Sequence, residues 1–306
     1  MDKKLKGILL AMGGGVCWGF SGCCGQYLFT HNEVDSNWLT VVRMLSSGVL
    51  LMAYCFFRYR EELRGLLHHR HDLIKVLLYS VFGMMMCQYS YLTAIQYTNA
   101  ATATVIQYTG PVMVVMTVCV LEKRLPRIFE AVCVLLAVGG TFLIATHGDP
   151  HTLHVSGKGL FWCLMAAVTL VVYTMVLGDT LDRRPVLVCN GMAFLVGGIV
   201  LALVTRFWQY HVSLDFQGFL AVAGIVSFGT LIGYSLYIQG LAYIGPAKAS
   251  MISTIETVSS AVIAHFWLGT QFAQADLIGF AFIIATVFIL ARNKQEAKDD
   301  GTEKQI

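Results

Sequence analysis

Apolar runs of about 20 residues, the length that carries an α-helix across a bilayer, recur along the whole chain and limit its fold more than any other feature. They lie near residues 7–30, 36–57, 73–96, 100–121, 127–146, 158–178, 186–207, 217–241, 247–268 and 275–291. Barrel strands would be roughly half as long and would alternate apolar with polar residues; these runs do not alternate. Charged residues make up 13% of the chain, against about 25% in a soluble domain, so the expected fold is an all-α integral membrane protein with ten transmembrane helices. A net charge of +3 is too small to argue for a nucleic-acid partner; the lipid bilayer is the partner that composition implies.

Basic residues set the expected orientation. Threading ten spans from an inside start leaves only Lys158 and Arg206 on outer segments and Arg43 within a span, and the rest of the 21 Lys and Arg fall on inner segments. That bias is the positive-inside pattern and predicts both termini in the cytoplasm. The first run follows Lys3, Lys4 and Lys6 but is longer than a signal-peptide core and lacks a small-residue cleavage site, so it is read as a retained helix. All nine cysteines fall in predicted spans, where they serve as small apolar packing residues rather than a disulfide framework.

The chain divides near its middle, at the loop beginning with His147. Residues 91–145 align with 237–291 without a gap, at an offset of 146. Tyr91 then meets Tyr237, Tyr97 meets Tyr243, Ala101 meets Ala247, Ala103 meets Ala249 and Ile106 meets Ile252. Five spans per half is an odd number, so the second half enters from the opposite face, giving two inverted five-helix repeats, N-in and C-in. Such repeats are a recurring transporter design, with the site near midplane at the repeat interface. The expected units are residues 6–146 (spans one to five), 157–292 (spans six to ten) and a polar tail, 293–306. The charged stretch 58–75 reads as a cytoplasmic loop with an interfacial helical turn. Small residues four apart, Gly15 with Gly19, Gly229 with Gly233 and Ala249 with Ser253, suit close helix crossing in lipid.

Short motifs are spread over both halves. The first has Trp18-Gly19-Phe20-Ser21, Arg43, Tyr97-Thr98-Asn99-Ala100-Ala101, Pro111 and Leu121-Glu122-Lys123-Arg124-Leu125. The second has Gly245-Pro246-Ala247-Lys248-Ala249, Glu256 and Gly279. In their order and spacing these resemble the EamA family of the drug/metabolite transporter superfamily, over residues 6 to 292. The resemblance implies a ten-helix inner-membrane carrier, commonly an exporter of amino acids or other small metabolites, with a central cavity between the halves. Two departures stand out. The family often has Pro directly after the helix-nine glutamate, where this chain has Thr257, and its second Leu-Gly-Glu is Leu268-Gly269-Thr270 here.

Within the spans, Glu256 is the sharpest candidate. It lies roughly 12 Å up the ninth helix from Lys248, near the bilayer middle, where an isolated carboxylate costs about 2.5 to 3.5 kcal/mol. A group held there can take up and release a proton as the site alternates; the plainer reading is a structural glutamate bonded to Ser253 or Ser260. Helical spacing puts Ala100, Thr104, Gln107 and Pro111 on one face of helix four, and Ala249, Ser253, Glu256 and Ser260 on one face of helix nine. Polar and aromatic residues on neighbouring spans, Gln88, Tyr89, Tyr91, Tyr108, Tyr173, Tyr234, Tyr237 and Gln239, with Trp18 in helix one, could line a mostly apolar pocket. From these the substrate-binding set is read as Trp18, Gln88, Tyr91, Thr104, Gln107, Tyr108, Tyr234, Tyr237 and Ser253, with Glu256 as the proton-coupling group.

Other ionisable residues have plainer readings. Arg43 is expected to snorkel to the outer headgroups, the alternative being a contact to an anionic substrate group. Glu122 is expected in an interfacial ion-pair cluster, and Lys248 to follow the positive-inside bias. His68, His69 and His71, and His147, His151 and His154, each share a loop but have no metal-site motif, so no metal is expected. Nothing matches a phosphate loop, HExxH or a dinucleotide fingerprint, and no cofactor is expected. An intramembrane serine protease using Ser21 with His265 as base is an alternative on the short GxSG match, and a non-transporting scaffold or sensor is another. The favoured reading is a secondary carrier in the inner membrane that exports a small metabolite and is not an enzyme.

Overall fold

The computed structural model describes residues 3–149, 154–176, 184–244, 249 and 252–299, and among them every regular element is helical. In the first half these are α1 (Lys3–His31), α2 (Ser36–Arg58), α3 (Arg60–His68), α4 (Arg70–Leu78), a π-helical turn (Tyr79–Met85), α5 (Met86–Tyr97), α6 (Ala100–Gln107), α7 (Gly110–Leu121) and α8 (Ile128–Thr146). The second half has α9 (Gly157–Val176), α10 (Val186–Val204), α11 (Phe216–Val226), a second π-helical turn (Ser227–Ile232), α12 (Gly233–Ile244), α13 (Ile255–Leu268) and α14 (Gln274–Asp299). Among the described residues, seven helical stretches are long and apolar enough to cross a membrane: Leu5–His31, Ser36–Arg58, Arg70–Tyr97, Ala100–Leu121, Ile128–Thr146, Val186–Val204 and Phe216–Ile244. Three more apolar stretches, Gly157–Val172, Ile255–Leu268 and Gln274–Ile289, are shorter over those residues.

The packing respects the duplication. α1 lies against α12 and α13, and its counterpart α9 lies against α5, α6 and α7; α2 pairs with α10, and α8 with α14. Exchanging the halves maps these contacts onto one another, apart from α9 on α6, whose counterpart segment falls largely outside the described residues. Glycine sets the closest crossings, because interhelical approach in lipid is limited by side-chain bulk. A Cβ on Gly140 would lie 2.8 Å from the Gly279 carbonyl oxygen, and one on Gly279 would lie 2.7 Å from that of Gly140. Along α1, the missing Cβ of Gly14 admits the Gly233 carbonyl at 2.9 Å and that of Gly15 admits the Ser253 carbonyl at 3.0 Å.

Two helices are interrupted at equivalent places. α6 begins where Asn99 accepts a hydrogen bond from the Thr102 N–H at 2.8 Å and Gln26 accepts one from the Ala100 N–H at 2.8 Å, satisfying donors a helix start leaves open. It ends at Tyr108 and Thr109, after which Pro111, lacking an N–H, opens α7. The 146-residue offset carries Tyr108 to Thr254, the turn that precedes α13. No proline makes that second break: the N–H and hydroxyl of Thr257 both donate to the Thr254 carbonyl, at 3.0 and 2.7 Å, so a side chain competes for the helical acceptor. The same offset brings the first π-helical turn over the second, and π-turns concentrate at functional sites.

Polar residues outside the spans fix the loops. Glu122 and Glu130 both bind Arg124, at 2.7 Å each, forming an ion-pair cluster at the start of α8. Asp215 caps α11 through the Gly218 N–H at 2.7 Å, and the amide of Asn32 together with that N–H holds its carboxyl below the usual carboxylate range. Arg184, just before α10, reaches Asp72 at 3.1 Å and the Gly65 carbonyl at 3.2 Å, tying the 58–75 loop to the second half. The nine cysteines are unpaired and mostly buried.

Candidate functional site

The two interrupted helices meet at one contact. The Tyr108 hydroxyl, at the end of α6, donates to Glu256 Oε2 at 3.0 Å and shares its proton with the Ser253 carbonyl at 3.2 Å. Glu256 lies in the first turn of α13, a helix that starts inside the bundle, where the partial positive charge of exposed N–H groups favours a carboxylate. Behind this contact runs α1, with the missing Cβ of Gly19 admitting the Glu256 carbonyl at 2.8 Å and the Ser260 N–H at 2.9 Å.

Most of the residues picked from the sequence converge around α1. Tyr91 and Thr104 bind each other through their hydroxyls at 2.8 Å, and the Tyr91 hydroxyl faces α1 at Gly22. Trp18 meets Tyr234 edge-on and Tyr237 at a tilt, with ring centroids 5.2 and 5.1 Å away, and Tyr237 is an electrostatic neighbour of Tyr108. Gln107 donates to Cys87 Sγ at 3.5 Å and is half-buried. Gln88 is the exception: buried on α5, it turns back to Met84 Sδ at 3.7 Å. The side chain of Tyr173 and the whole of Lys248 lie outside the described residues, as does His151.

Arg43 corrects the sequence reading. It does not snorkel: the residue is 6% exposed, and its electrostatic neighbours are Tyr91, Tyr234, Glu256 and Cys87. The guanidinium lies beside Gly229 of the second π-turn, 3.4 Å from where a Cβ would stand, with Ser21 at the same point. Depth in the span alone cannot tell an inward face from an outward one. The general cost of a charge in a span was the signal that could have placed it.

Elsewhere the geometry is plainer. The hydroxyl of Ser21 has no hydrogen-bond partner among the described residues, while His265 Nδ1 sits 3.0 Å from the Thr270 carbonyl, so a nucleophile-base pair is not formed. His69, His71 and Asp72 bring one donor each within 4.8 Å of one another, but Asp72 is already paired with Arg184. A cavity of about 220 Å³ lies at the Asn99 end of α6, lined by Tyr97, Thr102, His147, His154 and Asp276 among others, with His147 Nδ1 3.0 Å from Asp276. It is smaller than the roughly 300 Å³ at which small-molecule sites begin, and it is not at the Tyr108–Glu256 contact.

A duplicated bundle of apolar helices with a buried polar interior at two interrupted helices has the construction of a membrane transporter. The EamA-like transporter family model matches residues 5–146 and 157–292, and the chain belongs to that family. It is 31% identical over 291 residues, 95% of this chain and 97% of the other, to YicL of Salmonella typhimurium, an uncharacterized inner membrane transporter. It is 22% identical over 212 residues, 68% of this chain and 70% of the other, to the uncharacterized transporter YwfM of Bacillus subtilis. A protein crystal structure superposes with a TM-score of 0.59 at 18% identity, over 96% of this chain and 97% of that one, which shows a shared fold.

Proposed function

We propose that the chain is a secondary carrier that exports amino acids or related small metabolites by alternating access, with Glu256 as its proton-coupling group. In this reading the chain crosses the inner membrane ten times as two inverted repeats, residues 6–146 and 157–292, with both termini and the 293–306 tail in the cytoplasm. The substrate occupies the chamber around α1, between Trp18, Tyr91, Thr104, Gln107, Tyr108, Tyr234, Tyr237 and Ser253. The observation that carries the reading is the 3.0 Å bond from Tyr108 to Glu256. It joins one carboxylate to both half-helices, so a change in its protonation acts on the contact between the repeats. Protonation gives up a charge-assisted acceptor, and substrate or proton arrival then alters how firmly α6 holds α13. Mostly aromatic walls with few polar groups suit a small apolar side chain.

The test is flux into or out of vesicles holding the purified chain, with a panel of labelled amino acids, with and without a pH gradient. Gradient-driven accumulation that is lost in Glu256→Gln, while exchange of substrate at equal pH survives, is the expected result. Wild-type gradient-driven accumulation in Glu256→Gln removes the proton-coupling assignment.

A further inference from the structure

Gln26 joins the two halves one helical turn from the chamber. Its amide accepts a hydrogen bond from the Ala100 N–H at 2.8 Å and donates one to the Thr270 hydroxyl at 2.9 Å. Ala100 opens α6 and Thr270 follows the end of α13, so this amide bridges the two interrupted helices at the ends opposite the Tyr108–Glu256 bond. Gln26 lies four residues beyond Gly22 on α1, and Ala100 four before Thr104 on α6, which sets the bridge one turn past the Tyr91–Thr104 pair. Gln26 is 8% exposed and Ala100 is fully buried. The cavity of about 220 Å³ has Asn99 and Gln271, the chain neighbours of the bridged residues, in its wall. The bridge therefore stands where a path from that cavity to the chamber would run.

The two bonds differ in what they connect. α1 packs chiefly along α12 and α13, and Trp267 near the end of α13 stacks on both Phe20 and Tyr27 of α1, with centroids 5.8 and 5.6 Å away. Gln26 and Thr270 thus belong to one packed unit, and the bond to Ala100 is the one that crosses to the half-helix of the first repeat. The Ala100 N–H heads a helix and has no acceptor within it, so a side chain or water must accept its hydrogen bond.

We propose that Gln26 is the latch of the outer gate: its bond to the Ala100 N–H holds the start of α6 against α1, and release of that bond opens the chamber to the outer face. The inference rests on the carrier reading with both termini inside, and it names the residue that sets outward opening. Thr270 acts through Gln26, anchoring the far end of the amide so that its carbonyl oxygen is presented to α6. In the open state water takes the place of Gln26 at the Ala100 N–H, so opening exchanges one hydrogen bond for another. The balance is then close, and the latch biases it by about 3- to 10-fold, the net contribution of one neutral hydrogen bond. That is enough to favour closure without preventing release.

The experiment is labelling of the native cysteines by a membrane-impermeant maleimide added to one face of sealed vesicles, read residue by residue by peptide mass spectrometry. Cys87 is the reporter: half-buried, it takes a hydrogen bond from Gln107 in the chamber. Cys133 on α8 and Cys189 on α10, both fully buried away from the gate, are the controls. Where the gate recloses faster than the reagent reacts, the labelling rate follows the open population. Gln26→Leu keeps the approximate size and loses both bonds, and should speed labelling of Cys87 from the outer face about 3- to 10-fold. Thr270→Val removes the anchor alone and should give a smaller rise, about 2- to 3-fold; added to Gln26→Leu it should change nothing further, because it acts through the same amide. Wild-type labelling of Cys87 in both single variants overturns the latch, and since no substrate is needed, it leaves the carrier reading intact. A rise shared equally by Cys133 and Cys189 marks a loosened bundle and also overturns it. A rise from the inner face alone overturns the outer assignment and, with it, the orientation in the carrier reading.

Discussion

Removing the Tyr108 hydroxyl tests whether the contact between the interrupted helices holds the repeats together. The hydroxyl has one proton and two acceptors, Glu256 Oε2 at 3.0 Å and the Ser253 carbonyl at 3.2 Å, so Tyr108→Phe deletes one shared bond. A hydrogen bond to a charged group contributes about 1.5 to 3 kcal/mol and one between neutral groups about 1 kcal/mol. Tyr108→Phe should therefore destabilise the protein by about 2 kcal/mol when Glu256 is ionised. In a Glu256→Gln background the acceptor is a neutral amide, and the same change should cost about 1 kcal/mol. The difference, about 1 kcal/mol, is the coupling energy of a double-mutant cycle between contacting residues. Denaturant titration in mixed micelles at alkaline pH, where Glu256 is ionised, measures it, provided unfolding reverses, since an irreversible melt reports a rate. Equal losses in the two backgrounds, within about 0.3 kcal/mol, would mean that the charge on Glu256 adds nothing to the bond, and the protonation argument would lose its mechanical link.

Two further changes test the scaffold itself. Gly140→Ala places a methyl 2.8 Å from the Gly279 carbonyl oxygen and Ile283; overpacking of that kind should cost about 1 to 3 kcal/mol, read as a lower unfolding midpoint, and Gly140→Ala at wild-type stability would contradict the crossing. Arg184→Ala takes from the Asp72 carboxylate, 1% exposed, the guanidinium at 3.1 Å, with His69 at 3.2 Å and His71 at 3.6 Å still beside it. Loss of one member of a buried pair should cost about 3 kcal/mol, and restoring stability with Asp72→Asn in the same chain checks that the loss of that cation beside the carboxylate is the cause.

Much of this arrangement could be read from the residues, because an apolar span exposes its polar members to simple counting. Tyr91, Thr104, Tyr108, Ser253 and Glu256 stand out in otherwise hydrophobic runs, and helical spacing alone predicts a polar face on each interrupted helix. Rotation about the helix axis was harder. Gln88 occupies a similar place in the pattern to Tyr91 but turns along α5 to Met84, a contact that depends on side-chain reach. Arg43 was misassigned for a related reason: a long cation several residues inside a span can reach headgroups, and only the presence of α1 and the second π-turn beside it shows that it faces inward. The break before α13 carries no proline signature, since it is made by Thr257 competing for the Thr254 carbonyl.

The two breaks share a position but not a chemistry, and the backbone explains why. The offset that carries Tyr108 to Thr254 carries Gly110 to Glu256. Gly110 cannot hold a carboxylate, because even its Cβ would lie 2.7 Å from the Leu170 side chain and 3.2 Å from the Ala167 carbonyl on α9. In the second half, the corresponding backbone beside α1 is eased by Gly15 and Gly19, and residue 256 is free to turn its side chain toward Tyr108. Each repeat therefore supplies one partner of the bond, the donor from the first and the acceptor from the second. In the proposed carrier, symmetry of the scaffold lets the two halves exchange roles in gating, while the single carboxylate makes the exchange unequal. A conformational equilibrium responds to a proton only through a difference in protonation free energy between its states. One carboxylate on one half supplies that difference, where matched carboxylates on both halves would tend to cancel it.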